Sequence, residues 1–151
     1  MTGLSRSACL IGLAAALVLS TSGCDPYTYF NVDVSLGASI TGQNRFDTYS
    51  CGVFVLDATT GRRIQEAALK KLEGPNACQN ISDSTTDIGV MDYSTARSSG
   101  TLRFFVNMLD TASAPIAEGS ANKGVSPGHV LSVDLVIEAC GTSCTDTSTF
   151  K

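Results

Sequence analysis

Apolar and polar residues alternate along much of the chain. In residues 27–36, Phe30, Val32, Val34 and Leu36 alternate with Asn31, Asp33 and Ser35, the period of two that marks a half-buried strand. The polar, turn-rich stretch 37–44 breaks it. Residues 49–57 are more apolar: Cys51, Val53 and Val55 share one face, Phe54 and Leu56 the other. That pattern predicts a strand covered on both sides. Residues 57–61, Asp57-Ala58-Thr59-Thr60-Gly61, are turn chemistry.

Residues 62–73 depart from the period. Ile64, Ala68 and Leu72 fall four apart, Glu66 precedes Lys70 by four, and Gly74-Pro75 follows; this predicts the chain's one short helix. The competing expectation is a returning hairpin strand over 62–67. A polar loop at 76–87 follows, then a short strand at 88–95 and a turn at Ser98-Ser99-Gly100. Residues 101–110 give the clearest strand, with Leu102, Phe104, Val106 and Met108 on one face and Arg103, Phe105, Asn107 and Leu109 on the other. A hairpin loop at 111–114 leads to a short strand at 115–119, where Pro115 favours a strand start or a sheet edge. A loop at 121–128 precedes the last strand, 130–138, with Leu131, Val133, Leu135 and Ile137 facing inward and Val136 outward. The polar tail 145–151 is expected to fray.

The first 24 residues belong to a different kind of segment. Arg6 and the α-amino group precede an apolar run at 8–19, then Ser20, Thr21, Ser22, Gly23 and Cys24. This is secretory signal-peptide anatomy. Twelve residues of helix reach roughly 18 Å, short of a hydrocarbon core of about 30 Å. Thr21-Ser22-Gly23-Cys24 resembles the lipobox of bacterial lipoproteins, with Thr21 standing where that family usually has a large aliphatic residue. The resemblance covers the leader alone. It implies cleavage before Cys24, a diacylglyceryl thioether on its sulfur and usually an acyl chain on the new amino group. More than one acyl chain makes such an anchor stable. The competing expectation is an ordinary secreted protein cut near Gly23.

After the leader the chain carries nine basic and fourteen acidic residues, a net charge of −5, with no basic stripe and no tryptophan. Nucleic-acid binding is therefore not expected. Once Cys9 leaves with the leader and Cys24 is lipidated, Cys51, Cys78, Cys140 and Cys144 remain, an even set. Export exposes them to oxidising conditions. Three connectivities exist; Cys51–Cys78 with Cys140–Cys144 is the preferred one. The first would close a loop of about 28 residues, contributing roughly 3–4 kcal/mol. A metal or redox role for Cys140 and Cys144 lacks a second pair and a nearby histidine, so no metal site is expected there.

Candidate chemistry is sparse. His129 is the sole histidine, and Ser126 lies near it without a G-x-S-x-G elbow. Asp92, Asp110, Asp134 and Glu138 offer carboxylates but no selecting spacing. Nucleotide-binding and zinc-protease motifs are absent. Asp83 and Asp87 could offer oxygen ligands to calcium, though their run fits no calcium-loop template. Tyr27, Tyr29, Phe30, Phe46 and Tyr49 form either an exposed aromatic surface or, as expected, strand packing.

These readings predict a signal peptide at 1–23, a lipid-anchored tether at 24–27, a domain at 28–144 and a flexible tail at 145–151. The domain is expected to be an antiparallel immunoglobulin-like β-sandwich. Residues 53–61 resemble the strand and turn of immunoglobulin-like and carboxypeptidase-regulatory-like sandwiches. The expected role is structural, adhesive or ligand-binding, without catalysis or cofactor, on a bacterial envelope membrane facing the periplasm or exterior. A partner protein could add a strand at an edge near Pro115. The alternative is a small envelope hydrolase or carbohydrate-binding accessory domain.

Overall fold

The computed structural model describes residues 25–41, 50–64 and 87–150. Six strands run in chain order: β1 (Thr28–Leu36), β2 (Ser50–Asp57), β3 (Asp87–Thr95), β4 (Thr101–Leu109), β5 (Pro115–Gly124) and β6 (Val130–Ala139). They form one sheet in the order β2-β4-β5-β6-β1-β3.

Every neighbouring pair is antiparallel except β1–β6, which is parallel from Tyr29 opposite Val130 to Leu36 opposite Ile137. The fold is thus mainly β, as expected, but the all-antiparallel arrangement is corrected to a mixed sheet. The strands belong to one continuous sheet. β5 and β6 join the halves through two residue pairs, Ala117 with Ala139 and Glu118 with Glu138. Beyond them β5 follows β4 and β6 follows β1. The sheet therefore curls into a half-barrel whose halves, β3-β1-β6 and β2-β4-β5, face each other. At the join, Gly119 lies so close to the Val136 carbonyl that a Cβ there would overlap it.

The inner face carries the apolar stripes read from the sequence. Phe30, Val32 and Val34 of β1, Leu102, Phe104, Val106 and Met108 of β4, and Leu135 and Ile137 of β6 are all buried. Burying each such side chain contributes about 1.5–3 kcal/mol. Three rings meet across the curl: Phe104 lies 5.1 Å from Phe30 and 5.9 Å from Tyr93 between centroids, and Phe30 lies 6.2 Å from Tyr93.

At three other places the structure corrects or extends the expectations. Residues 62–64 do not start a helix. The Asp57 N–H donates to the Arg62 carbonyl, the Ile64 N–H donates to the Val55 carbonyl, and Arg63 bridges Leu56. A chain returning beside β2 puts its amides into the sheet ladder, and Ile64 is buried; residues 65–73 lie outside the described set. β5 begins at Pro115, one of the two positions expected for that proline, lies between β4 and β6 in the sheet order, and extends to Gly124 through part of the expected loop. The tail carries a 3-10 turn at Thr147–Thr149 and then Phe150, whose ring lies 5.4 Å from Phe54 and 5.2 Å from Phe105 on the outer face of β2 and β4.

Truncating Phe104 removes the ring shared by both halves. Phe104→Ala is expected to lower stability by about 3–5 kcal/mol, measured by urea unfolding. Phe150→Ala, at a half-buried position, should cost clearly less.

Candidate functional site

The end of the half-barrel where the chain enters is built from four segments. The Tyr29 N–H donates to the His129 carbonyl and the Gly128 N–H to the Tyr27 carbonyl, both near 2.9 Å. Buried Thr28 accepts from the Ser126 N–H at its hydroxyl, 3.0 Å. The Val125 N–H reaches the Gly100 carbonyl, and the Ala58 N–H reaches Thr101. These bonds tie the entering strand, the β5–β6 loop, the β3–β4 loop and the β2 turn into one surface.

Asp57 organises the last of these. One carboxylate oxygen accepts from the Thr59 and Thr60 N–H groups and the Thr60 hydroxyl at 2.9–3.1 Å; the other meets Arg97 at 2.8 Å. Gly61 takes a φ of +68° to close the turn, a conformation that a Cβ disfavours. The Arg97 guanidinium, followed by the Thr60 amide, lowers the Asp57 pKa to about 2.

His129 and Ser126 do come together, with the serine oxygen 3.1 Å from Nδ1. The Pro127 carbonyl lies 3.0 Å from the same nitrogen. A carbonyl can only accept, so this contact favours a proton on Nδ1, which then cannot remove one from Ser126. No carboxylate is hydrogen-bonded to His129 among the described residues, and a triad would need one. The pair is the closing turn of the loop.

Four other carboxylates are likewise structural acceptors. Asp110 accepts from the Ala112 and Ala114 N–H groups at 2.8 Å each, closing the β4–β5 hairpin. Glu138 accepts from the Ser39 N–H and hydroxyl. Glu118 holds Thr145 through its N–H and hydroxyl, 2.6 Å each. Asp87 accepts from the Gly89 N–H at 3.1 Å; residues 83–86 of the proposed calcium run lie outside the described set. Asp92 lies opposite Asn31, and Asp134 lies beside Asp33 in the β1–β6 register.

At the opposite end, Cys140 and Cys144 are bridged, with their Cα atoms 4.9 Å apart. Their loop and the start of β5 line a cleft of about 390 Å³. Glu118 offers an oxygen within 4.8 Å of both sulfurs, but a bridged pair presents no thiolate to a metal ion. Cys51 is also disulfide-bonded; Cys24 and Cys78 lie outside the described residues.

The aromatic set divides. Phe30 is core, whereas Tyr27 and Tyr29 are exposed with rings 6.3 Å apart; Phe46 and Tyr49 lie outside the described residues. The Tyr27 N–H donates to Asp25 at 3.0 Å. Partial desolvation, then a hydrogen bond to Asp25, raises the Tyr29 pKa. Sequence reasoning named this pair but not Val130, which stands beside Tyr29 and is exposed too. The only available signal was an apolar residue at the start of the last strand.

Among the described residues no helix is long and apolar enough to cross a membrane. No protein-family model, curated protein or solved structure matches the chain.

Asp57 links stability to pH. Its folded pKa lies below the unfolded value of 3.8, so the unfolded chain binds the extra proton. Its contribution is complete above about pH 4 and disappears as pH falls through about 2. Asp57→Asn should unfold at lower urea than the parent near pH 5, and the difference should close near pH 2. Separately, opening the five-residue Cys140–Cys144 loop by a double serine substitution should cost about 2 kcal/mol in the chain-entropy account, read from the same unfolding curves.

Proposed function

We propose that this chain is a lipoprotein anchored through Cys24, carrying an extracytoplasmic β-domain with a structural, adhesive or ligand-binding role rather than a catalytic one. The leader motivates the anchor. The observation that carries the reading is how soon the fold begins after the cysteine. Tyr27 already accepts a backbone hydrogen bond from Gly128, and Thr28 is buried. Between Cys24 and Tyr27 only Asp25 and Pro26 intervene, a reach of about 10 Å. The domain then rides directly on its anchor.

Two further observations support it. The Cys140–Cys144 bridge suits a chain exported to an oxidising compartment. Several of the side chains that hydrolysis could use hold turns and loops in place instead. Asp57, Asp110, Glu118 and Glu138 each satisfy backbone amides, and His129 faces a carbonyl instead of an acid. A carboxylate holding amides in place is a poor general base, because protonating it breaks those bonds.

Cells expressing the full chain should incorporate radiolabelled palmitate into it, and Cys24→Ala should abolish the label and release the protein from membranes. Equal labelling of both forms would exclude the anchor.

A further inference from the structure

Four large hydrophobic side chains are exposed among the described residues, and three sit at one spot: Tyr27 at 44 %, Tyr29 at 41 % and Val130 at 75 %. Tyr29 and Val130 are neighbours across the parallel β1–β6 pair. The spot marks the end of the half-barrel where the chain enters at Asp25. We propose that this end lies against a lipid surface, with the two tyrosines and Val130 seated among the headgroups. The proposal rests on the anchor reading and specifies which face of the domain the anchor presses to the membrane.

Reach is the first argument. Acyl chains on Cys24 hold Tyr27 within about 10 Å of the lipid. The opposite end of strands nine or ten residues long lies roughly 30 Å away. The side chains provide the second argument. Tyrosine combines an apolar ring with a polar tip and is enriched at membrane–water boundaries. An exposed valine opposite such a ring has no solvation reason to be there.

Charge provides the third. The turns and strand ends at the entry end carry Arg62, Arg97 and Lys123 against Asp25 and Asp57, and Arg97 and Asp57 are paired. The opposite end carries Asp87, Asp110, Glu118, Glu138 and Asp146, with no cation among the described residues. An anionic leaflet repels the second end and attracts the first weakly. Reach, amphipathic side chains and charge all select the same orientation.

The chain has no tryptophan, so one introduced residue reports alone. The full chain is purified in detergent with Tyr29→Trp, and Val136→Trp serves as the reference. Val136 is on the same strand as Val130 and also exposed, about 20 Å further along. Each is checked by mass for acyl chains and reconstituted into phosphatidylethanolamine–phosphatidylglycerol vesicles containing brominated lipid. Tyr29→Trp should be quenched about threefold more than Val136→Trp, as expected for a residue at the boundary. Tyr27→Trp supplies the same comparison if the first variant fails to fold.

Equal or absent quenching in acylated chains would overturn the orientation and leave the anchor standing. A blue-shifted but unquenched tryptophan would mean that protein, not lipid, covers the spot, and would overturn it too. A mass without acyl chains would remove the anchor and this orientation together.

Discussion

The double pairing of β1 is the constraint on which the rest of the molecule depends. The first strand lies between β3, antiparallel, and β6, parallel, and both neighbours come from far along the sequence. A parallel pair cannot be made by a hairpin, so β1 and β6 meet only when the intervening chain has run its course. That course builds β2, returns to lay β3 on the other edge of β1, and then crosses back for β4 and β5. The short β5–β6 contact then joins the two halves. The curl, the core and the position of the entering residues follow from this closure. Because β1 is held on both edges from Tyr29 onward, the residues before it have one place to emerge.

Electrostatics then acts at the ends of the strands. The chain uses carboxylates to hold amides that turns would otherwise leave unpaired, as Asp57 does after β2 and Asp110 after β4. An unpaired amide costs more than a hydrogen bond gains, so short turns recruit aspartate locally. Where a guanidinium also arrives, as Arg97 does at Asp57, the charge is balanced. At the opposite end no such cation is present among the described residues, and the acids accumulate. The polarity of the surface is thus a by-product of how the turns are closed.

The sequence made the strands legible and their partners illegible. Alternation in residues 28–36, 101–109 and 130–139 gives both the strand and the face it buries, because period two follows from the pleat itself. It carries no information on whether a neighbour runs parallel, which is why β1–β6 was not foreseen. β5 runs past the expected end at 119 because residues 120–124 pair with β4 after β6 has splayed away; with little to bury, they show little alternation. The expected helix start at 62–64 is a returning strand instead, because Ile64 can satisfy a core position equally well from there. Phe150 is one ring in a polar tail, which hides its role in the sequence, although Phe54 and Phe105 offer an apolar outer face for it to cover.

The same limitation governs the candidate site. Tyr29 and Phe30 are adjacent in sequence and both suit a strand; the pleat alone sends one to the core and the other outward. Composition cannot tell whether the outward ring is covered, because that depends on which strand lies alongside and where it starts. Here the neighbour is β6, and it starts at Val130, opposite Tyr29. The parallel pairing aligns the beginnings of two strands, where an antiparallel pairing would have set the beginning of one against the end of the other. It therefore gathers the first residues of the domain and the first residue of its last strand at a single end. The topology that closes the core also assembles the exposed patch beside the predicted anchor.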